Sequence, residues 1–326
     1  MTPERGAAKL AAMSKTNQNQ AAPERQRRYT LAGQRISAPK LAPGLHIVAT
    51  PIGNLGDITL RALEALAGAD VIACEDTRVT RKLLDRYGIA TPLTPYHEHN
   101  AAQARPMLLN RLLQGASIAL VSDAGTPLVS DPGFKLVRAA QEAGLTVTTL
   151  PGASSLLAAL TVAGLPTDQF LFAGFLPPKQ AARRSRIAEL GHIPGTLVFF
   201  ETAPRIAAAL ADLADGLGQQ RQAALCRELT KLHEDVQRGS LRALADACAD
   251  KEPRGELVLV VAPPPARQPA SAAEMESLLR EALSRGSVKD AVDEVADLTG
   301  LPRRDVYQRA LALAKTEGQA SDGTPR

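Results

Sequence analysis

The chain has 326 residues, 45% of them hydrophobic and 22% charged, with 3% aromatic residues and no Trp. That length supports two domains of ordinary size, with cores of Leu, Val, Ile and Ala. No apolar run approaches the ~18 residues of a membrane-spanning helix, and the first residues lack the apolar stretch of a signal peptide. Cys74, Cys226 and Cys248 are odd in number and too widely spaced for a disulfide framework or Cys-x-x-Cys metal binding. A cytoplasmic, reducing setting without membrane or metal is therefore expected. The formal charge of +4 is uneven, with +6 on residues 1–43 and −2 on the remainder. The basic character belongs to a tail and is no argument for a general nucleic-acid surface on the folded body.

Residues 1–43 are rich in Ala, Gln, Asn, Pro and Arg without a sustained period, and read as a disordered basic extension. From Gly44 the pattern changes. Leu45–Thr50 reads as a short buried strand, followed by a Pro51–Gly56 turn and a helix capped by Asp57. Val71–Cys74 is the next strand, ending in Glu75-Asp-Thr-Arg78. Tyr96-His-Glu-His-Asn100 is a polar knot before a helix over 101–114. The apolar run Ile118–Val121 then stops at Ser122-Asp123, and a long loop rich in Gly, Pro and Asp leads to Phe134. Asp131 is placed to cap the following helix, with Pro132 at its first position. Leu145–Leu150, a Pro151-Gly-Ala-Ser-Ser155 turn and a Leu/Ala helix complete the unit.

Strands alternating with helices imply a parallel sheet covered on both faces, with ligands at the carboxyl ends of its strands. The alternation restarts with strands near 170–175, 197–201, 223–227 and 257–262, and helices near 180–190, 204–214 and 241–249. A Pro-rich linker over 263–270 leads to helices at 273–284, after Ser287, and at 303–315, in a helix-turn-helix arrangement. The expected division is 1–43, a first α/β domain over 44–166, a second over 167–263, and a helical module over 271–316.

The loops exclude several chemistries. Gly53-x-x-Gly56 is not a dinucleotide fingerprint, and no Gly-Lys-Ser/Thr phosphate loop occurs. His97, Glu98 and His99 lack metal-ligand spacing. The central loop has no Lys or Arg before Lys135, so it suits a small zwitterion approached by backbone groups better than a polyphosphate.

Ser122-Asp-Ala-Gly-Thr-Pro-Leu-Val-Ser-Asp-Pro-Gly133 resembles the signature loop of the tetrapyrrole-methylase-like methyltransferases. It is most similar to the branch that methylates a cytidine 2′-hydroxyl of 16S ribosomal RNA. Val48–Asp57, Glu75–Arg78, Tyr96–Asn100, Pro151–Ser155, Gly174–Pro177, Phe199–Glu201, Arg227–Lys231 and Arg254–Glu256 extend the match in order. Ser122-Asp123-Ala124 stands where the tetrapyrrole enzymes carry Gly-Asp-Pro, which favours the RNA branch.

The resemblance implies two α/β domains of the tetrapyrrole methylase (class III) type with a cofactor cleft between them, plus a C-terminal helix-turn-helix module. S-adenosyl-L-methionine would bind Pro51, Ile52, Gly53, Asp123, Ala124, Gly125, Thr126, Val129, Ser130, Ala153 and Ser154 from the first domain, with Glu201 and Leu229 from the second. A homodimer acting on 16S RNA or the small ribosomal subunit is implied. A ribose hydroxyl needs a base, and Glu75, Asp76 and Glu98 at strand ends are the candidates. Arg78, Lys179, Arg183 and Arg184 are candidates for gripping RNA. Two rivals remain at this stage, methylation of a tetrapyrrole carbon and a DNA-binding regulator that senses S-adenosylmethionine. The net acidic balance of residues 271–326 disfavours the second.

Overall fold

The computed structural model describes residues 26–265 and 271–320; the remaining parts of the expected basic extension and linker lie outside the described residues. The chain divides at Pro263/Pro264 into two compact units. In the first, a hairpin of β1 (Arg28–Leu31) and β2 (Gln34–Ser37) precedes a run of alternating elements. These are β3 (Gly44–Val48), α1 (Leu60–Gly68), β4 (Val71–Cys74), α2 (Thr77–Arg86), β5 (Leu93–Pro95) and α3 (Ala101–Leu113), then β6 (Ser117–Val121), α4 (Phe134–Glu142), β7 (Val147–Leu150) and α5 (Ser155–Ala163). Strands β3 to β7 form one parallel sheet in the order β5-β4-β6-β3-β7. β3, β4 and β6 are buried along their whole length, as continuous apolar strands between two helical layers must be. Thr59, not Asp57, caps α1, its hydroxyl accepting the Ala62 N–H at 3.2 Å; Asp57 lies in a short 3₁₀ turn.

The chain continues with β8 (Phe170–Phe175), α6 (Gln180–Leu190), β9 (Thr196–Thr202), α7 (Ala203–Leu217), β10 (Gln222–Arg227), β11 (Asp235–Ser240), α8 (Leu241–Asp250) and β12 (Glu256–Val261). This second sheet has the order β11-β10-β12-β9-β8 and is mixed: β8 and β9 are parallel, the other pairs antiparallel. Residues of α6, α7 and α8 pack on one face through Ile187, Leu210, Leu213 and Leu244. The opposite face, with Val198, Ala224, Cys226, Val258 and Val260, is covered by Ala159, Leu160 and Ala163 of α5 and by Ile52. Helix α5 follows the first sheet in the chain and covers the second in space.

The hairpin corrects the expectation that residues 1–43 are disordered, over the part described. Ala32 and Gly33 sit at φ +49° and +80°, the pair of left-handed residues that a type I′ turn requires. Tyr29 is buried with Leu66, Leu84 and Tyr87. The Thr30 N–H donates to the Tyr87 carbonyl at 2.7 Å, and Arg27 bonds the Gly68 carbonyl and Asp70, both at 3.3 Å. Two four-residue strands show no period in sequence, and their order comes from docking onto a core built later in the chain.

In the second unit, α9 (Ala272–Leu283), α10 (Val288–Thr299) and α11 (Arg303–Ala320) bury Leu279, Val292, Val295, Val306 and Ala310. The Ser287 hydroxyl accepts the Asp290 N–H at 3.2 Å at the start of α10, and Gly300 at φ +68° ends it. Tyr29→Ala should cost about 3 kcal/mol through the cavity it leaves, read as a lower midpoint in a urea melt with an unchanged secondary-structure signal.

Candidate active site

Three loops leave the carboxyl edge of the first sheet, after β3, β6 and β7, and are tied together mainly by backbone. Thr50 and Gly125 exchange two N–H···O bonds of 2.9 and 3.0 Å. The Thr50 hydroxyl donates to the Ser122 carbonyl at 3.2 Å, and the Thr126 hydroxyl to the Ala153 carbonyl at 3.2 Å. Gly125 has φ +81°, and a Cβ there would stand 3.2 Å from Ile52 Cγ2, so the position needs glycine for both conformation and space. Leu128 and Ser130 adopt φ +75° and +63° without being glycine.

Those two left-handed residues turn the loop so that Asp131 does not cap α4, as its sequence position suggested. Gly133 is the N-cap, with no side-chain hydrogen bond, and Pro132 lies outside the helix. Asp131 instead lines a cavity of about 290 Å³ between the two sheets.

Of the residues expected to bind the donor, Ile52, Ala124, Gly125, Thr126, Val129, Ser130, Ser154, Glu201 and Leu229 line this cavity. Pro51, Gly53, Asp123 and Ala153 do not, and each has another task. Pro51 and Asp123 line a second hollow of about 140 Å³, built on the neighbouring residues of the same two turns, with Thr50, Leu55, Val79, Thr80, Lys82, Leu83 and Ser122. Asp123 Oδ1 also accepts the Asp76 N–H at 2.9 Å, joining the loops after β4 and β6. Ala153 supplies the carbonyl already described. At Gly53 a Cβ would run into Lys231 Cγ, so glycine lets the first-domain turn close against the second domain.

The residues of the lining that the sequence did not indicate are Asp131, Ser155, Phe175, Phe200, Thr202, Cys226 and the Gly255–Val258 stretch. Phe200, Cys226 and Val258 share the sheet face with Val198, Ala224 and Val260, a period-two signal that was readable. The conformation that frees Asp131 gave no such signal.

The two carboxylates of the second domain at the cavity are paired. Buried Glu201 meets Arg205 at 3.2 Å and accepts the Thr202 N–H at 2.9 Å. Glu256 meets Lys231 at 2.9 Å, and Lys231 also holds Glu228 at 2.8 Å. Asp131 forms no ion pair among the described residues. Burial, with the charges of Glu75 and Asp123 adding to it, pushes its carboxyl up to about 6, against the pull of the Ser122 hydroxyl.

The lining suits S-adenosylmethionine. It contains no Lys, Arg or His that a polyphosphate would need. It offers an apolar wall of Ile52, Phe175, Phe200 and Leu229 for a purine, hydroxyls from Thr126, Ser130 and Ser154, and acids for a cation.

The other expected site residues separate. Glu75, at the end of β4, is raised by burial and then by Asp123, with His97 acting the other way. Asp76 accepts the Arg78 N–H at 2.7 Å and pairs with its guanidinium at 2.6 Å, which holds it down at about 2. Glu98 is exposed on its turn. Arg78 has an open side chain, 88% exposed, and Lys179 is exposed before α6.

Arg183 is corrected. It is 5% exposed and bonds Asp212 at 2.6 and 2.7 Å and the Pro178 carbonyl at 3.3 Å. Arg184 shares Asp212 at 2.7 Å. Burial opposes the Asp212 charge, but Arg184 and Arg183 outweigh it and hold the carboxyl below its ordinary range. The basic run after Phe175 thus ties α6 to α7. The apolar spacing of α6, with Ile187 and Leu190 inward, placed Arg183 on the same buried side.

Residues 44–245 match the profile of the tetrapyrrole (corrin/porphyrin) methylases, and residues 269–314 that of an RsmI C-terminal HTH domain. A cobalt precorrin-4 methyltransferase is 18% identical with a TM-score of 0.52, covering 67% of this chain and 94% of that one. A diphthine synthase gives 18% and 0.53, covering 67% and 89%. These solved structures share the fold.

Among sequences, a ribosomal RNA small subunit methyltransferase I from Mesorhizobium japonicum is 51% identical over 90% of this chain and 100% of its own length. Its counterpart from Pseudomonas aeruginosa is 44% identical over 82% and 96%. The chain belongs to the ribosomal RNA small subunit methyltransferase I family of the tetrapyrrole methylases.

Two substitutions check the assignments. Arg183→Ala leaves buried Asp212 with Arg184 and the Gln180 amide and should cost about 1–3 kcal/mol in a denaturant melt. Asp131→Asn should stabilise the fold at high pH. A carboxyl raised from 3.8 to about 6 favours its protonated form in the native state, so its penalty is absent below pH 4, grows as pH rises and is complete above 6. After discounting for partial exposure, the gain at pH 8 is about 1–2 kcal/mol and vanishes at pH 4, read from melting temperatures at the two pH values.

Proposed function

We propose that this chain transfers the methyl group of S-adenosylmethionine to the 2′-hydroxyl of a cytidine in the 16S RNA of the small ribosomal subunit. The observation that carries this reading is similarity over 82–90% of this chain, at 44–51% identity, to proteins named for small-subunit ribosomal RNA methylation. The helical module at residues 269–314 supports it, whereas the tetrapyrrole alternative has behind it the broad family profile and fold-level likeness at 18% identity. A cytoplasmic location and a homodimer belong to the same reading. No helix among the described residues is long and apolar enough to cross a membrane.

The donor supplies an electrophilic methyl group on a sulfonium. Ile52, Phe175, Phe200 and Leu229 would wall its adenine, the Ala124–Thr126 backbone and the Ser130 and Ser154 hydroxyls would fix its polar ends, and Glu201 would face its cationic side. Excluding water from this apolar-walled cleft strengthens each of those contacts. The acceptor ribose would enter by the second hollow, which is built on the same two turns and carries Lys82 at its wall. Exposed Arg78 and Lys179 would contact RNA phosphates, whereas Arg183 holds the fold. Of the three carboxylates expected as bases, Glu75 alone is both half-buried and raised. Asp76, held near 2, is a poor proton acceptor.

Incubating the purified chain with methyl-labelled S-adenosylmethionine and either naked 16S RNA or small-subunit particles tests the reading. Label should map to one cytidine 2′-oxygen in RNA from one of the two, with none entering uroporphyrinogen. Label on the porphyrinoid alone would replace this function by its rival.

A further inference from the structure

A general base for a ribose hydroxyl must lie close to the donor and hold a proton near neutral pH, and with no Lys or His in the cavity lining a carboxylate free of a cation fits best. Three acids line the donor cavity. Glu201 is tied to Arg205 and to a backbone N–H, and Glu256 to Lys231, which leaves Asp131. Its position is also distinctive. Asp131 lines the cavity, while the Ser122 hydroxyl within its reach belongs to a residue lining the second hollow. The carboxylate thus lines the cavity from the same loop whose first residues, Ser122 and Asp123, line the hollow.

We propose that Asp131 is the general base of the reaction, placed in the donor cavity by the loop that also lines the hollow admitting the acceptor. The assignment rests on the methyl-transfer reading given above. Asp131 takes the proton from the 2′-hydroxyl as that oxygen's electron pair forms the new bond to the methyl carbon. The old carbon–sulfur bond breaks with its pair left on sulfur, so the sulfonium charge disappears as the carboxylate charge does.

The groups that surround Asp131 fit this role. Glu75 comes from the end of β4 and Asp123 from the same loop as Asp131, both negative. The second domain's Arg205 and Lys231, which pair with the cavity's Glu201 and Glu256, are engaged there and, for Lys231, by Glu228 as well. Lys82 lies on the wall of the hollow. Burial, with two like charges adding to it, keeps the carboxyl basic, and Glu75 becomes a positioning residue that adjusts its affinity for a proton.

Single-turnover rates on the RNA substrate between pH 5 and 8 test the proposal. In the wild type the rate should climb as pH rises through about 6 and then level off. Asp131→Asn should lose 10²–10⁴-fold in kcat and show no such limb, with S-adenosylmethionine affinity within about threefold. Glu75→Gln should move the limb to lower pH, because removing a like charge makes Asp131 ionise more readily. Calorimetry of donor binding at pH 6, in two buffers of different ionisation enthalpy, gives a readout without turnover. Binding a sulfonium beside a half-ionised Asp131 should release up to about a quarter of a proton, the amount that a threefold coupling allows, and none in Asp131→Asn.

An Asp131→Asn enzyme with the wild-type rate and limb overturns the proposal. So does one whose whole loss lies in donor affinity, which would make Asp131 a donor-binding group. If Asp131→Asn fails to fold, an unmoved limb in Glu75→Gln together with no proton release by the wild type overturns it. Proton release without methyl transfer to any RNA would instead defeat the function reading while leaving Asp131 the titrating group of the cavity.

Discussion

The apolar seam between Ile52, helix α5 and the inner face of the second sheet is the contact on which the rest depends. Ala159, Leu160 and Ala163 meet Val198, Ala224, Cys226, Val258 and Val260 there, with Ile52 and Leu229 completing the packing. Small side chains on the helix allow close approach, and burial on this scale is the main favourable term for joining two domains. The donor cavity lies beside this seam and shares Ile52, Cys226, Leu229 and Val258 with it. The cleft is therefore a place where packing between two sheets stops short. Its walls are as rigid as the seam, which is how a site comes to be held in advance of its ligand.

The loops above the seam are fixed by backbone bonds that need few particular side chains. The Thr50–Gly125 bridge draws together the turns after β3 and β6, and the Asp123 carboxylate brings in the turn after β4 through the Asp76 N–H. A parallel sheet delivers neighbouring strand ends to one edge, so such short-range bonds are enough to build a site from segments distant in sequence. Lys231 does the corresponding work across the cleft. Lying over Gly53 and held by Glu228 and Glu256, it lets two domains approach without leaving a charge unpaired.

What could be read from the residues follows the same division. The buried strands of the first domain, the loop at Ser122–Gly133 and the Ser287 cap are local signals, and all have their counterparts in the structure. Strand β11, Asp-Val-Gln-Arg-Gly-Ser, carries no apolar period, because an edge strand needs a partner more than a core; β1 and β2 escaped for a similar reason. Arg183 was misjudged because charge is visible in sequence and burial against Asp212 is not. Asp131 was misjudged because Asp-Pro-Gly before a helix has the form of a cap. Positive φ at Leu128 and Ser130 turned the chain elsewhere, and neither residue type announces that conformation.

The acids of the chain divide by what faces them. Asp212, Asp76, Glu201 and Glu256 all have arginine or lysine partners and serve to join helices, cap a turn or line a wall. Glu75, Asp123 and Asp131 have none within ion-pair distance among the described residues, and they converge from two strand ends and one loop. A fold selected for stability alone would place a cation among them, since like charges brought together out of water destabilise the native state. Local instability is retained where an unpaired carboxylate is useful, and a reaction that begins with a cationic donor and ends with a neutral one is such a use. Electrostatic strain beside the apolar seam is tolerable because the seam, not the loop, holds the two domains together.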